Sequence, residues 1–250
     1  MPVDSLTSAG PLSGHVYAVG VGPGAPDLIT VRAANIIKRS DVLICPRSSK
    51  SVQSMALEII RPWIKEQKIL DASYPMRRDA EATEAFWRQI AEQAREYSQQ
   101  GRSVTQITLG DPLIYSTSCY FLLQMQKILP GHKIHIVPGI AAFQAVSARL
   151  KNALAVQEDR MLLMPGTDAD QVRQSLACCE TLILYKAGRN INLIRNVLEE
   201  EGLLGHSSLI CYAEQENEFV CRDLTEYDGH LPGYLASIIV HVRRRKWRGD

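Results

Sequence analysis

The 250-residue chain carries no excess charge of either sign: 28 Lys and Arg stand against 27 Asp and Glu, a formal net charge of +1. No global field therefore draws it to nucleic acid or to an anionic membrane, although a local group of arginines can still meet a polyanionic small molecule. Apolar runs long enough to cross a bilayer are missing. A basic region followed by an apolar core is missing at the N-terminus, so residues 1–13 read as a flexible leader and not as a signal peptide. The six cysteines form no CxxC pair and no His/Cys zinc spacing. Cys45 and Cys211 lie in apolar stretches, where a free thiol behaves as a small hydrophobe, and reduced cysteines suit a cytoplasmic protein. No Ser/His/Asp constellation, internal repeat or low-complexity segment is present.

What is present is ordinary globular material, 46% hydrophobic, long enough for one large domain or two smaller ones around separate cores. Strand signals at His15–Val21, Val42–Cys45, Lys68–Ala72, Val104–Leu109 and Ile134–Val137 alternate with helical stripes. The first helix spans Leu28–Arg39, with Asp27 placed to cap it, and Pro46 breaks the second strand. Further helices fall at Val52–Ile64, Glu84–Gln100 and Ser116–Leu129. Strands separated by helices of this length predict a parallel, right-handed βαβ sheet over residues 1–137. After a helix at Ile140–Leu150 the pattern changes. Strands at Met161–Met164, Thr181–Tyr185, Ser207–Ala213, Phe219–Cys221 and Leu235–Val242 are interrupted by helices at Asp168–Ala177 and Asn190–Glu201. The last strands follow one another without helices, which requires antiparallel neighbours and predicts a mixed α/β domain over residues 138–250.

In open α/β sheets, ligands bind beyond the carboxyl ends of the parallel strands. Three loops leave such ends with glycine and proline: Gly20–Gly24, Leu109–Pro112 and Val137–Ile140. Gly20, Gly22 and Ala25 also fit the dinucleotide fingerprint, the signature of an NADP-dependent oxidoreductase. Pro23 and Pro26, however, remove amides that a pyrophosphate would use, and Asp27 puts a carboxylate where the phosphate should lie. An enzyme and a non-catalytic binding module are both compatible with such loops.

Five segments, spaced over nearly the whole chain, resemble the tetrapyrrole methyltransferase family: VGVGPGAPDLITVRA (Val19–Ala33), LGDP (Leu109–Pro112), VPGIAAFQAVSARL (Val137–Leu150), LYKAGRN (Leu184–Asn190) and YLASIIV (Tyr234–Val240). The resemblance implies an α/β fold of two domains, a mostly parallel N-terminal sheet and a mixed C-terminal one, with a cofactor cleft between them. It implies S-adenosyl-L-methionine as methyl donor (S-adenosyl-L-homocysteine as product), a tetrapyrrole acceptor and a homodimer, with no metal, nucleic acid or membrane involved. Tyr74-Pro75-Met76 followed by Arg78-Asp79, and DPLIYST (Asp111–Thr117), are similar to the branch acting on C20 of precorrin-2 or its cobalt form. A sibling acting at another ring position is the alternative.

By the same resemblance, Pro23, Leu109, Gly110, Asp111, Ile114, Ser116, Thr117, Ala141, Ala142, Lys186, Tyr212 and Ala213 contact the cofactor. Relatives often carry methionine at Lys186, so backbone groups are expected to act there. Asp111 can make the turn, counter a sulfonium or accept a proton, and Tyr227 is a second candidate for catalysis. Arg77 and Arg78, with Arg47 and Arg149, are candidates for the acceptor's peripheral carboxylates, since a guanidinium pairs with carboxylate in bidentate fashion.

Overall fold

The computed structural model describes residues 10–48, 54–74, 79–229 and 235–243. Contacts divide the chain into two units, Met1–Ala141 and Ala142–Asp250.

The first unit is a five-stranded sheet of β1 (Val16–Gly20), β2 (Val42–Ser48), β3 (Lys68–Tyr74), β4 (Val104–Thr108) and β5 (Ile134–Val137), in the order β3-β2-β4-β1-β5. All four pairings are parallel. Parallel sheets need cover on both faces, and alternate residues of each strand supply the two apolar surfaces. Tyr17, Val19, Leu43, Cys45 and Ile107 pack with Ile36 and Ile37 of helix α1 (Val31–Arg39) and with Ile59 and Ile60 of helix α2 (Met55–Ile60). Val16, Val42, Ile44 and Val104 pack on the opposite face, against Trp87, Ile90 and Ala94 of α3 (Ala80–Gln99) and Phe121 and Met125 of α4 (Ser118–Ile128).

Strand order brings the three glycine- and proline-bearing loops together. β1 lies between β4 and β5, so the loops leaving these three carboxyl ends are neighbours. Their backbones touch. The Gly110 amide donates to Gly22 O (2.7 Å) in an isolated antiparallel bridge, and Val21 N donates to Thr108 O (2.9 Å). A Cβ built at Gly20 or at Gly139 would sit on the Gly110 carbonyl oxygen, well inside van der Waals contact. The glycines are there because three backbones cross where no side chain fits.

The second unit is a mixed sheet of β6 (Met161–Pro165), β7 (Thr181–Tyr185), β8 (Ser207–Cys211), β9 (Phe219–Cys221) and β10 (Ala236–His241), in the order β6-β7-β10-β8-β9. β6 and β7 are parallel, and β10 runs antiparallel to both β7 and β8. Leu182, Leu184, Leu209 and Ile238 bury against Val172 and Leu176 of α6 (Ala169–Leu176) and Ile194 and Leu198 of α7 (Ile191–Glu200). Helix α5 (Ala142–Leu150) opens this unit.

Several local expectations are corrected. Asp27 does not cap the first helix: Pro26–Leu28 forms a 3-10 turn, Ile29 is extended, and the Thr30 side chain caps α1 by accepting from Ala33 N (3.2 Å). Pro46 does not end β2, because β4 pairs only with Val42–Ile44; past that point one edge of the strand is unpaired and a missing amide costs nothing. The helix expected over Val52–Ile64 is α2 followed by a 3-10 turn at Arg61–Trp63, where Pro62 removes the amide that would continue it. The long helix starts at Ala80, four residues before the expected Glu84, because Asp79 accepts from Ala82 N (3.0 Å) and caps it there.

At the amino end of β1, His15 Nδ1 lies 2.8 Å from His135 Nε2 on β5, and the His135 ring stacks on Tyr17 at 4.6 Å. Burial, then the charge of Lys133 and neighbouring His132, lowers the pKa of His15. Burial, then His15, lowers that of His135.

Two predictions result. Gly139→Ala should lower stability by about 2–3 kcal/mol as an overpacked crossing, whereas Gly131→Ala, with open space around it, should change it by less than about 0.5 kcal/mol; urea denaturation distinguishes them. Both histidines are depressed, so the unfolded chain binds more protons and their stabilisation, full above pH 6.5, is lost as pH falls through the native values. Stability should therefore decline from about pH 7 to pH 5, with a shallower slope in the His15→Gln/His135→Gln variant. Equal slopes would remove the pair as the cause.

Candidate functional site

In the first unit, one loop carries most of the candidates. It leaves β4 at Leu109 and returns to α4 at Ser118, and it is tied at three points. The Asp111 carboxylate accepts from Leu113 N through Oδ1 (2.8 Å) and from Gly139 N through Oδ2 (3.1 Å). The first bond makes the turn; the second fastens this loop to the one after β5. At the far end, Thr108 and Ser116 share a hydroxyl–hydroxyl bond of 2.8 Å, and Ser116 Oγ also accepts from Ser118 N (3.1 Å). Beneath them the fully buried Ser118 hydroxyl donates to Gln106 Oε1 (2.6 Å), while Gln106 Nε2 donates to Ile107 O (2.9 Å). Gln106 is a polar residue in an otherwise apolar strand position, and it is satisfied at both ends. Such a network fixes the start of α4 relative to β4 more specifically than apolar packing does.

The structure thus brings Leu109, Gly110, Asp111, Ile114, Ser116 and Thr117 onto one braced loop, beside the Gly20–Gly24 loop that carries the buried Pro23. The buried Ala141 follows on the Gly139 loop. The backbone at Tyr115 is left-handed, with φ +49°. Sequence reasoning missed this residue because tyrosine gives no signal for that conformation, which favours glycine or asparagine.

In the second unit, β7 and β8 end on either side of the start of β10: Tyr185 pairs with Ser237, and Cys211 with Ala236. The residues that follow are left-handed in both cases, Lys186 at φ +58° and Tyr212 at φ +52°. Neither is glycine. Strained non-glycine backbone of this kind collects at ligand sites, where surrounding structure holds it in place. Lys186 is exposed, Tyr212 half-buried with its amide donating to Leu235 O (2.9 Å), and Ala213 buried. Tyr185, not among the candidates, has a positioning role of its own. Its hydroxyl accepts from Phe143 N (2.9 Å) in the first turn of α5, the helix that begins with Ala142.

Other candidates are arranged differently. Tyr227 is buried in the core of the second unit, edge-on to Phe219 at 6.2 Å, with the Arg195 guanidinium 5.5 Å above its ring. Burial, then neighbouring Cys211, raises its phenol pKa, so the phenol stays protonated at neutral pH. Arg47 already holds Asp71 (2.7 Å), and Arg149 holds Glu218 (2.6 Å). Arg77, Arg78 and Tyr234 lie outside the described residues. Burial pushes the Cys45 and Cys211 thiols up to about 12, which leaves both without a thiolate. Among the described residues, no group of three or more His, Cys, Asp or Glu is placed to hold a metal ion, and no helix is long and apolar enough to cross a membrane.

The glycine loop does not build a dinucleotide site. A pyrophosphate needs free amides at a helix start immediately after the loop. Here a 3-10 turn with exposed Asp27 intervenes, and an α1 amide is taken by Thr30.

Comparison with known proteins gives a consistent set of relatives. The chain is 34% identical over 233 residues to a cobalt-precorrin-2 C(20)-methyltransferase of Salmonella typhimurium, covering 92% of this chain and 97% of that protein. It is 25% identical to a precorrin-2 C(20)-methyltransferase of Sinorhizobium, covering 91% and 95%. A uroporphyrin-III C-methyltransferase from Thermus thermophilus, solved with S-adenosylhomocysteine, shares the fold with a TM-score of 0.64 at 18% identity, over 91% of this chain and 98% of that one. A cobalt precorrin-4 methyltransferase shares it with a TM-score of 0.67 at 17% identity, over 98% and 99%. The model of the tetrapyrrole (corrin/porphyrin) methylases matches residues 15–225. Two α/β sheets, a braced GDP loop and a match over most of its length make this chain a member of the tetrapyrrole (corrin/porphyrin) methylase family.

Proposed function

We propose that this protein transfers a methyl group from S-adenosylmethionine to C20 of precorrin-2, metal-free or cobalt-bound, in cobalamin biosynthesis. The observation that carries the reading is the near full-length likeness to enzymes of that activity, 34% identical in the Salmonella case. A cytoplasmic homodimer is the form in which we expect it to work.

The residues present fit a cationic donor. Pro23 and Pro26 offer no amides to a phosphate, while Asp111 places a half-buried carboxylate in the loops themselves. When bound, S-adenosylmethionine supplies an electrophilic methyl on a sulfonium, which needs no covalent enzyme intermediate. Pro23, Leu109–Asp111, Ile114, Ser116, Thr117 and Ala141 of the first unit would hold it; Ala142, Lys186, Tyr212 and Ala213 are candidates within the second unit taken by itself. The left-handed turns at Lys186 and Tyr212 favour recognition by main-chain groups, which makes the lysine in place of methionine tolerable.

The acceptor brings its own nucleophile, an electron-rich meso carbon, which after methylation would give up its proton to water, a weak base being sufficient. The protein's work is orientation: holding two reactants in attack geometry accounts for much of the rate in such displacements. Asp111 fixes the loop through its two amide bonds, and we assign it charge complementarity with the donor and no covalent step. The Tyr227 phenol, raised by burial, is a donor of hydrogen bonds and not a base. Arg77 and Arg78 are proposed for the acceptor's carboxylates.

Incubation with S-adenosylmethionine and either acceptor form, side by side, should yield a product with one added methyl, mapped by NMR to C20. A methyl on another carbon would replace this reading with a sibling activity. Asp111→Ala, which leaves two amides without their charge-assisted acceptor, should weaken S-adenosylhomocysteine binding by roughly tenfold or more in calorimetry.

A further inference from the structure

Two large apolar side chains on the braced loop are turned out to water. Leu113 is 56% exposed and Tyr115 44%. Both lie between Asp111 and Ser116, two of the residues through which the loop is fastened, so their backbone is not free to fold them inward. Tyr115 is held in the left-handed region at φ +49°, where a bulky L-residue is strained. The sequence thus combines two uncommon features at one residue: a backbone that glycine would adopt without strain, and an aromatic side chain left 44% exposed. Features of this kind persist where a ligand uses them.

We propose that Tyr115, with Leu113 beside it, is the platform on which the flat face of the acceptor macrocycle packs. This rests on the reading of the chain as a tetrapyrrole methyltransferase. A tetrapyrrole is a broad conjugated plane rimmed by carboxylates, and an aromatic ring is well matched to such a plane. Arginines can take the rim, but they cannot orient the plane. An exposed ring on a rigid loop, next to the residues assigned to the methyl donor, can fix the height and tilt of the carbon to be methylated. Tyr115 is on this account a specificity-determining residue that acts on the acceptor and not on the donor.

The test is steady-state kinetics with precorrin-2 for the wild type and for Tyr115→Gly, Tyr115→Ala and Tyr115→Phe, with S-adenosylhomocysteine affinity, Tm and solution mass measured on the same preparations. Tyr115→Gly and Tyr115→Ala should raise the acceptor KM roughly tenfold, the scale of losing one well-packed aromatic contact, and leave S-adenosylhomocysteine affinity within about twofold. Tyr115→Phe keeps the ring and should keep KM. Tyr115→Gly removes the left-handed strain and should hold or raise Tm, by up to about 4 °C. A gain in stability coupled to a loss of acceptor affinity is not what a structural role would give. An active wild type whose KM is unmoved in Tyr115→Gly overturns the proposal alone, as does a changed solution mass at constant KM, which would make the patch a subunit contact. A wild type that binds S-adenosylhomocysteine but methylates no precorrin-2 overturns both the reading and the proposal.

Discussion

Close approach of three backbones at Gly20, Gly110 and Gly139 is the constraint on which the first unit depends. The Gly110 carbonyl occupies the space where a Cβ of either other glycine would be. This contact sets how near the loops after β1, β4 and β5 can lie. Everything attached to the crossing inherits its precision: the Gly22–Gly110 bridge, the Asp111 carboxylate reaching the Gly139 amide, and the seven-residue path from Asp111 to Thr117. A sheet of parallel strands gives adjacency of the carboxyl ends, but adjacency alone leaves loops several ångströms apart. The missing side chains close that gap.

Polar groups then do inside this unit what apolar packing cannot. Hydrophobic contacts between α4 and the sheet, through Phe121 and Met125, are non-directional and would tolerate a sliding helix. The Gln106–Ser118 and Thr108–Ser116 bonds are directional, and they sit at the end of α4 that meets the loop. Buried polar side chains of this kind lose much if half of the pair is removed, so they specify one arrangement. The second unit uses a related device: the Tyr185 hydroxyl, at the end of β7, takes an amide at the first turn of α5.

Much of this could be read from the sequence, and the reasons for the rest are physical. Alternating apolar strands and striped helices made both sheets legible, and the glycine-proline punctuation located the three loops. Cap geometry was harder: Asp27 and Thr30 are equally good capping residues, and only the 3-10 turn begun at Pro26 decides for Thr30. Pro46 looked like a strand breaker because whether its missing amide matters depends on which edge of β2 is paired, a tertiary fact. Within the site, Asp111 was identifiable by its neighbours Gly110 and Pro112, but its bond to Gly139 links residues 28 apart that no spacing rule connects. Gln106, Tyr115 and Tyr185 left no trace: a buried glutamine, a left-handed tyrosine and a capping phenol resemble ordinary strand or loop residues until their surroundings are known.

The strand order has a temporal consequence as well as a spatial one. β1 is made first, yet both of its neighbours come late: Val16 pairs with Val104 and with Ile134. The chain must therefore close loops of about ninety residues or more before β1 gains any partner, a slow and entropically costly step. β2 and β3, which pair with each other across a short connection, can associate while β1 still waits. The corner where the three loops meet thus depends on the pairings of greatest sequence separation in the first unit. Until they form, β1, buried along its whole length in the folded unit, has two unpaired edges on which another chain could pair.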